Sequence, residues 1–153
     1  MNSLVRKIRS LSWLEWRIVL SSLVMLPYCA ACLRLQGFRR TQSHFLGAHV
    51  SASTLTEQEQ LDLARRAARA TSIAARFGLF RANCLCRSLV LGRWLHRRGI
   101  ESQLKLGVDL AEGDLSAHAW VEHCGVVVND HRHIGKRFTA FVPTSDDCED
   151  QTV

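Results

Sequence analysis

Although Lys and Arg outnumber Asp and Glu by 20 to 14, the sequence has no block of basic residues and no aromatics interleaved with them. The formal net charge of +6 is carried by dispersed arginines. Such a surface attracts acidic peptides, nucleic acid or anionic membranes in general. Without a clustered basic stripe or an RNA-binding signature, nucleic acid is disfavoured as the main partner. A dense cysteine framework is also missing: the six cysteines stand at 29, 32, 84, 86, 124 and 148. A chain of 153 residues can bury a core without disulfides, so a reducing cytosol is the expected compartment. Wholesale disorder is excluded by a hydrophobic fraction of 47%. No uncharged run reaches the roughly 20 residues of a spanning helix.

The longest such run is "RIVLSSLVMLPYCAACLR", with 16 uncharged residues between Arg17 and Arg34, and Pro27 is expected to interrupt it. Arg6, Lys7 and Arg9 precede it as in a signal peptide, but Glu15 and Trp16 intrude, and "CAAC" is a poor lipoprotein box. Three readings stay open: a buried helical hairpin or partner-docking helix, a membrane-associating segment over 18–33, and a cleaved signal. Cys29 and Cys32 read as small core residues. From Gly37 to Ser53 the pattern dissolves into an expected linker. The expected organisation is an apolar helical region with linker over 1–50, a catalytic domain over 51–142 and an acidic tail over 143–153.

"TLTEQEQLDLARRAARATSIAARFG" predicts a helix, opened by a Thr56/Glu59 capping box and closed near Gly78. Next comes "RANCLCRSLVLGRWLHRRG". Asn83 is a good N-cap, so Cys84 becomes the first residue of a helix that is apolar nearly all round until His96 and stops at Gly99. Unpaired N–H groups and the positive end of the macrodipole favour a thiolate and a neighbouring oxyanion there. Cys86 sits further in and points elsewhere.

"GIESQLKLGVDL" alternates as a strand, "AEGDLS" is a turn, and "AHAWVEH" with "VVVND" predicts a hairpin. A two-residue loop at Cys124-Gly125 would pair His118 with His131 and turn Asp130 to the opposite face. A three-residue loop of His123, Cys124 and Gly125 would pair Glu122 with Val126, Trp120 with Val128, and His118 with Asp130. A catalytic site calls for the second register. Cys84, His118 and Asp130 would then be nucleophile, base and orienter. A core cysteine beside a surface histidine is the competing reading of the same pattern.

The wording of these segments resembles the lasso peptide leader peptidases, bacterial biosynthesis proteins of the transglutaminase-like (papain-like) cysteine protease superfamily. Cys84, Leu85, Arg87, Ser88 and Leu89 match the family's helix start, and Arg97 to Ile100 its turn. Gly107 to Val108, Ala117 to Glu122 and Val128 to Asp130 match its strands, so the resemblance covers about residues 55 to 135. It implies an α+β fold, a central helix packed on an antiparallel sheet. The implied activity is removal of a leader from a ribosomally made precursor by Cys84, His118 and Asp130, with no cofactor. A separate ATP-dependent, asparagine-synthetase-like cyclase would then close the ring. The residue two before the cut is commonly Thr in this family. Residues 1–50 show no winged-helix leader-recognition pattern, so a separate recognition protein is expected. The expected location is cytoplasmic, with membrane association open. A catalytically idle scaffold for the cyclase, and an acyl transferase on the same triad, are the alternatives.

Arg87 either holds the leader or pairs with a carboxylate. Trp120 shares a face with His118 and either walls the cleft or fills the core; Trp94 reads as core. His131 and His133, with His123 or Cys124, form no closed ligand set, so no metal is expected. Cys148 in "PTSDDCEDQTV" reads as a free exposed thiol.

Overall fold

The computed structural model describes residues 11–47, 52–78, 82–109, 116–130 and 139–141. Helices α1 (Trp13–Leu46), α2 (Glu57–Phe77) and α3 (Cys84–His96) precede strands β1 (Gln103–Asp109), β2 (Ser116–His123), β3 (Val126–Val127) and β4 (Thr139–Phe141). The strands form one antiparallel sheet in the order β3-β2-β1-β4. Helices and sheet together are an α+β arrangement, with α3 packed between the other helices and the sheet.

Each helix begins where its sequence supplies a side-chain acceptor for orphan N–H groups. Ser12 opens α1 with a capping box that escaped the sequence reading: its Oγ accepts from the Glu15 N–H, and Glu15 Oε2 accepts from the Ser12 N–H at 2.8 Å. Arg66 of α2 joins this cap, donating to Ser12 Oγ at 2.8 Å and lying 3.6 Å from Glu15. Burial pushes the Glu15 carboxyl up, but the Ser12 backbone and hydroxyl and the Arg66 charge outweigh it and hold it below its ordinary value. The expected Thr56/Glu59 box opens α2, and Gly78 is its C-cap.

Two expectations for the N-terminal third are corrected. Pro27 does not interrupt the apolar run, because α1 continues through it and breaks at Gly37 (φ 77°, ψ 176°). The stretch after Gly37 is not a linker at its start, since it is helical to Leu46. Its Thr41 and Phe45 are fully buried, and that burial explains the helix where local pattern showed none. Tyr28 and Phe45 stack at 6.1 Å, whereas 17 residues of straight helix would separate them by about 25 Å. Gly37 therefore folds α1 back as a helical hairpin.

The hairpin shares one core with the rest. Ile18, Leu26, Cys29 and Phe45 of α1 meet a row of alanines on α2 (Ala64, Ala67, Ala68, Ala74) and Leu89, Leu91 and Leu95 of α3. Small α2 residues let the helices approach closely. Gly92 does the same on α3, where a Cβ would lie 2.8 Å from Leu46 Cδ2. The opposite face of α1 is open: Trp13, Leu20, Val24 and Leu35 are exposed. By length and composition α1 could cross a membrane, but a third of its most apolar window is buried inside the protein.

β1 and β2 form where alternation predicts them. Of the expected turn over 111–116, residues 111–115 lie outside the described residues and Ser116 already belongs to β2; the tail over 143–153, His131, His133 and Cys148 also lie outside them. β4 was not anticipated. It pairs with β1 through Leu106↔Phe141 to Val108↔Thr139.

Candidate active site

The β2–β3 turn is the tight one. Glu122 pairs with Val127 and His123 with Val126, leaving Cys124 and Gly125 as a two-residue loop with φ of 47° and 74°. Two consecutive positive φ values make a type I′ turn, whose twist matches the flanking strands better than a bulged loop does. The three-residue loop expected from sequence is therefore wrong. Continued in register, the ladder would turn Asp130 away from His118.

It does not continue. Val128 makes the last ladder bond, donating to Val121 O at 3.0 Å. At the next step the Asn129 side chain replaces the backbone, its Oδ1 accepting from the Val121 N–H at 2.8 Å. The chain bends over 128–130, and Asp130 swings back across the end of β2. Asp130 Oδ2 accepts from His118 Nε2 at 2.5 Å, with both side chains about one-fifth exposed. Imidazole and carboxylate meet through a chain departure that no hairpin rule encodes.

α3 is tied to this point by Ser88. Its hydroxyl, fully buried, donates to Ala119 O at 3.0 Å and accepts from Asn129 Nδ2 at 3.0 Å. Ser88 thus bridges the residue after His118 and the residue before Asp130. Both Ser88 and Asn129 lie inside the motifs that carry the resemblance, but spacing alone assigned them no role.

Cys84 enters the site by position on the helix. Cys84, Arg87 and Ser88 share one face of α3, and the Cys84 backbone stands one turn, about 6 Å along the helix axis, N-terminal to Ser88. Asn83 caps the helix as expected, its Oδ1 accepting from the Cys86 N–H at 2.8 Å. No acidic residue occupies the first turn to offset the macrodipole, and the Cys84 and Leu85 N–H groups have no intrahelical acceptor. The half-buried Cys84 therefore sits beside backbone N–H groups that can receive an oxyanion.

Cys86 faces the other way. It is 1% exposed and lies against Cys29 of α1, whose thiol is pushed up by that contact and by burial. Trp120 is 1% exposed, and its indole donates to Glu122 Oε1 at 2.8 Å. It stacks on the His118 ring at 6.3 Å with planes 20° apart, so it backs the imidazole and touches the site through it. His123 is buried, its Nδ1 donating to the Glu101 carbonyl at 2.6 Å. Arg87 is half-buried and reaches Ser72 Oγ at 3.5 Å without meeting a carboxylate among the described residues.

The helix that opens with the half-buried Cys84 is thus tied through Ser88 to the ribbon that carries the His118–Asp130 pair. In comparison with known families, the Transglutaminase-like superfamily model matches residues 25–143. The chain belongs to the transglutaminase-like superfamily, which includes cysteine peptidases and acyltransferases. Comparison with curated proteins and with solved structures yields no match. The family match begins within the helical hairpin, at residue 25, and ends just beyond β4.

Proposed function

We propose that this protein is a cysteine peptidase that removes the leader from a lasso peptide precursor, using Cys84, His118 and Asp130. The observation that carries the reading is the His118–Asp130 bond at the end of β2, held to the Cys84 helix by Ser88. With Nε2 committed to Asp130, Nδ1 is the nitrogen that takes the Cys84 proton. The thiolate attacks the scissile carbonyl, and backbone N–H groups at the start of α3 receive the oxyanion. His118 then protonates the departing amine, and water, activated by the same imidazole, releases the leader as a free acid. Asp130 holds the ring and balances the charge it acquires during transfer.

The motif resemblance supports the substrate class, and it carries the partners with it: a separate leader-recognition protein and an asparagine-synthetase-like cyclase. The exposed α1 face is a surface on which such a protein, or a membrane, can dock. The proposed location is the cytoplasm.

Mass spectrometry of the precursor, incubated with this protein and its recognition partner, tests the reading. Cys84→Ala abolishes leader release, while Cys86→Ala retains most of it. The reverse result overturns the assignment. An added amine appearing in the product mass would instead mark an acyl transferase.

A further inference from the structure

The face of α2 that shares a groove with Asp130 carries charge with no ion-pair partner among the described residues. Arg65 and Arg69 lie one turn apart there, with Ser72 one turn further, and Arg87 of α3 faces them. Together with Asn129 and Asp130 these residues line an open groove of about 540 Å³. Arg66, next in sequence but on another face of α2, is paired with Glu15 and Ser12. Neither Arg65, Arg69 nor Arg87 has a carboxylate partner among the described residues, and Asp130 is given to His118. Like charges at i and i+4 cost a helix a few tenths of a kcal/mol. The arrangement is therefore one that a bound anion would stabilise.

We infer that this groove is a subsite for a carboxylate side chain of the peptide substrate, read by Arg65, Arg69 and Arg87. The inference rests on the peptidase reading above. Three features favour an acidic peptide over other anions. The groove is continuous with the site, since Asp130 lines it directly. Arg87 and Cys84 are neighbours on one helix face, about 5–6 Å apart at Cβ. A peptide lying past the thiol advances about 3.3 Å per residue, so a side chain within about three residues of the scissile bond reaches the guanidiniums. Guanidinium forks bind carboxylates through paired hydrogen bonds, which gives selectivity for Glu or Asp over their amides.

The probes are quenched-fluorescent peptide pools of random sequence, in each of which one position is fixed as Glu or as Gln. Full-length protein cleaves at least one Glu pool about tenfold more efficiently (kcat/KM) than its Gln counterpart, and the ratio shrinks in high salt. In the Arg65→Gln/Arg69→Gln variant the ratio falls toward one. In Arg66→Gln, whose charge serves the Ser12 cap, the ratio persists. A ratio near one in the wild type, or one insensitive to Arg65 and Arg69, overturns the subsite and leaves the peptidase standing. If no pool is cleaved, binding of the same pools to Cys84→Ala protein by fluorescence anisotropy decides the subsite alone, and the precursor assay with the recognition partner decides the peptidase reading. Equal binding of Glu and Gln pools sinks it, as does tighter, Arg65-dependent binding of a single-stranded oligonucleotide.

Discussion

Replacing Ser88 by Ala removes one hydroxyl from the point where α3, β2 and the bent segment after β3 converge. Ser88 and Ala119 are both buried, so the Ala119 carbonyl would lose its side-chain donor with no water to replace it. Asn129 Nδ2, on a half-buried residue, would lose its bond to Ser88 and turn to solvent. An orphaned buried acceptor costs about 1–3 kcal/mol and an exchanged bond about 0.5–1.5, for a total of roughly 2–4 kcal/mol. In a chain of this length that corresponds to a fall in Tm of about 5–12 °C. Urea unfolding of wild type and Ser88→Ala, fitted with a common m-value, measures the difference. Ser21→Ala is the control, because among the described residues that hydroxyl bonds only to Ile18 O within its own helix. The His118 Nε2–H resonance reports on the site itself, and it should move in Ser88→Ala as Asn129 and Asp130 relax. A loss below 0.5 kcal/mol, or an unmoved resonance, would refute the claim that Ser88 organises the site.

Glu15 contributes stability at neutral pH that acid removes. Its carboxyl is held below the ordinary 4.5, so its contribution is complete above that pH and is lost as pH falls through the lowered value. Glu15→Gln, which can still accept from the Ser12 N–H but loses the charge facing Arg66 and the helix start, should cost up to about 1 kcal/mol at pH 7, and the difference should shrink as the pH of denaturation is lowered below 4.5. Gly37→Ala meets no atom within 4 Å, yet its φ of 77° and ψ of 176° suit glycine alone. It should lower stability by about 1–3 kcal/mol, and a neutral result in calorimetry would show that the bend relaxes elsewhere. At the I′ turn, Cys124→Asn places a residue that tolerates φ of 47° and should gain up to about 1 kcal/mol. A loss there would mean that the exposed thiol makes an interaction of its own.

The sequence alone settled whatever depends on neighbours along the chain. Thr56 with Glu59, and Asn83 with the Cys86 N–H, start their helices through side chains three residues from their acceptors or donors, and such contacts survive any tertiary context. Alternation placed β1 and β2, and the Cys-Gly pair placed the turn. Ser12 with Glu15 was equally readable by the same rule. Tertiary structure decided the rest. Residues 38–46 are helical because Thr41 and Phe45 become buried in the fold, Phe45 stacking on Tyr28 of the first limb of α1, a gain that no local propensity records. The β2–β3 register is one that should have separated His118 from Asp130. They meet because Asn129 satisfies Val121 with its side chain and Ser88 anchors Asn129 from another helix. Hydrogen bonds between residues 41 apart in sequence leave no periodic trace, so the strand's end, and with it the site, could be seen only in the folded chain.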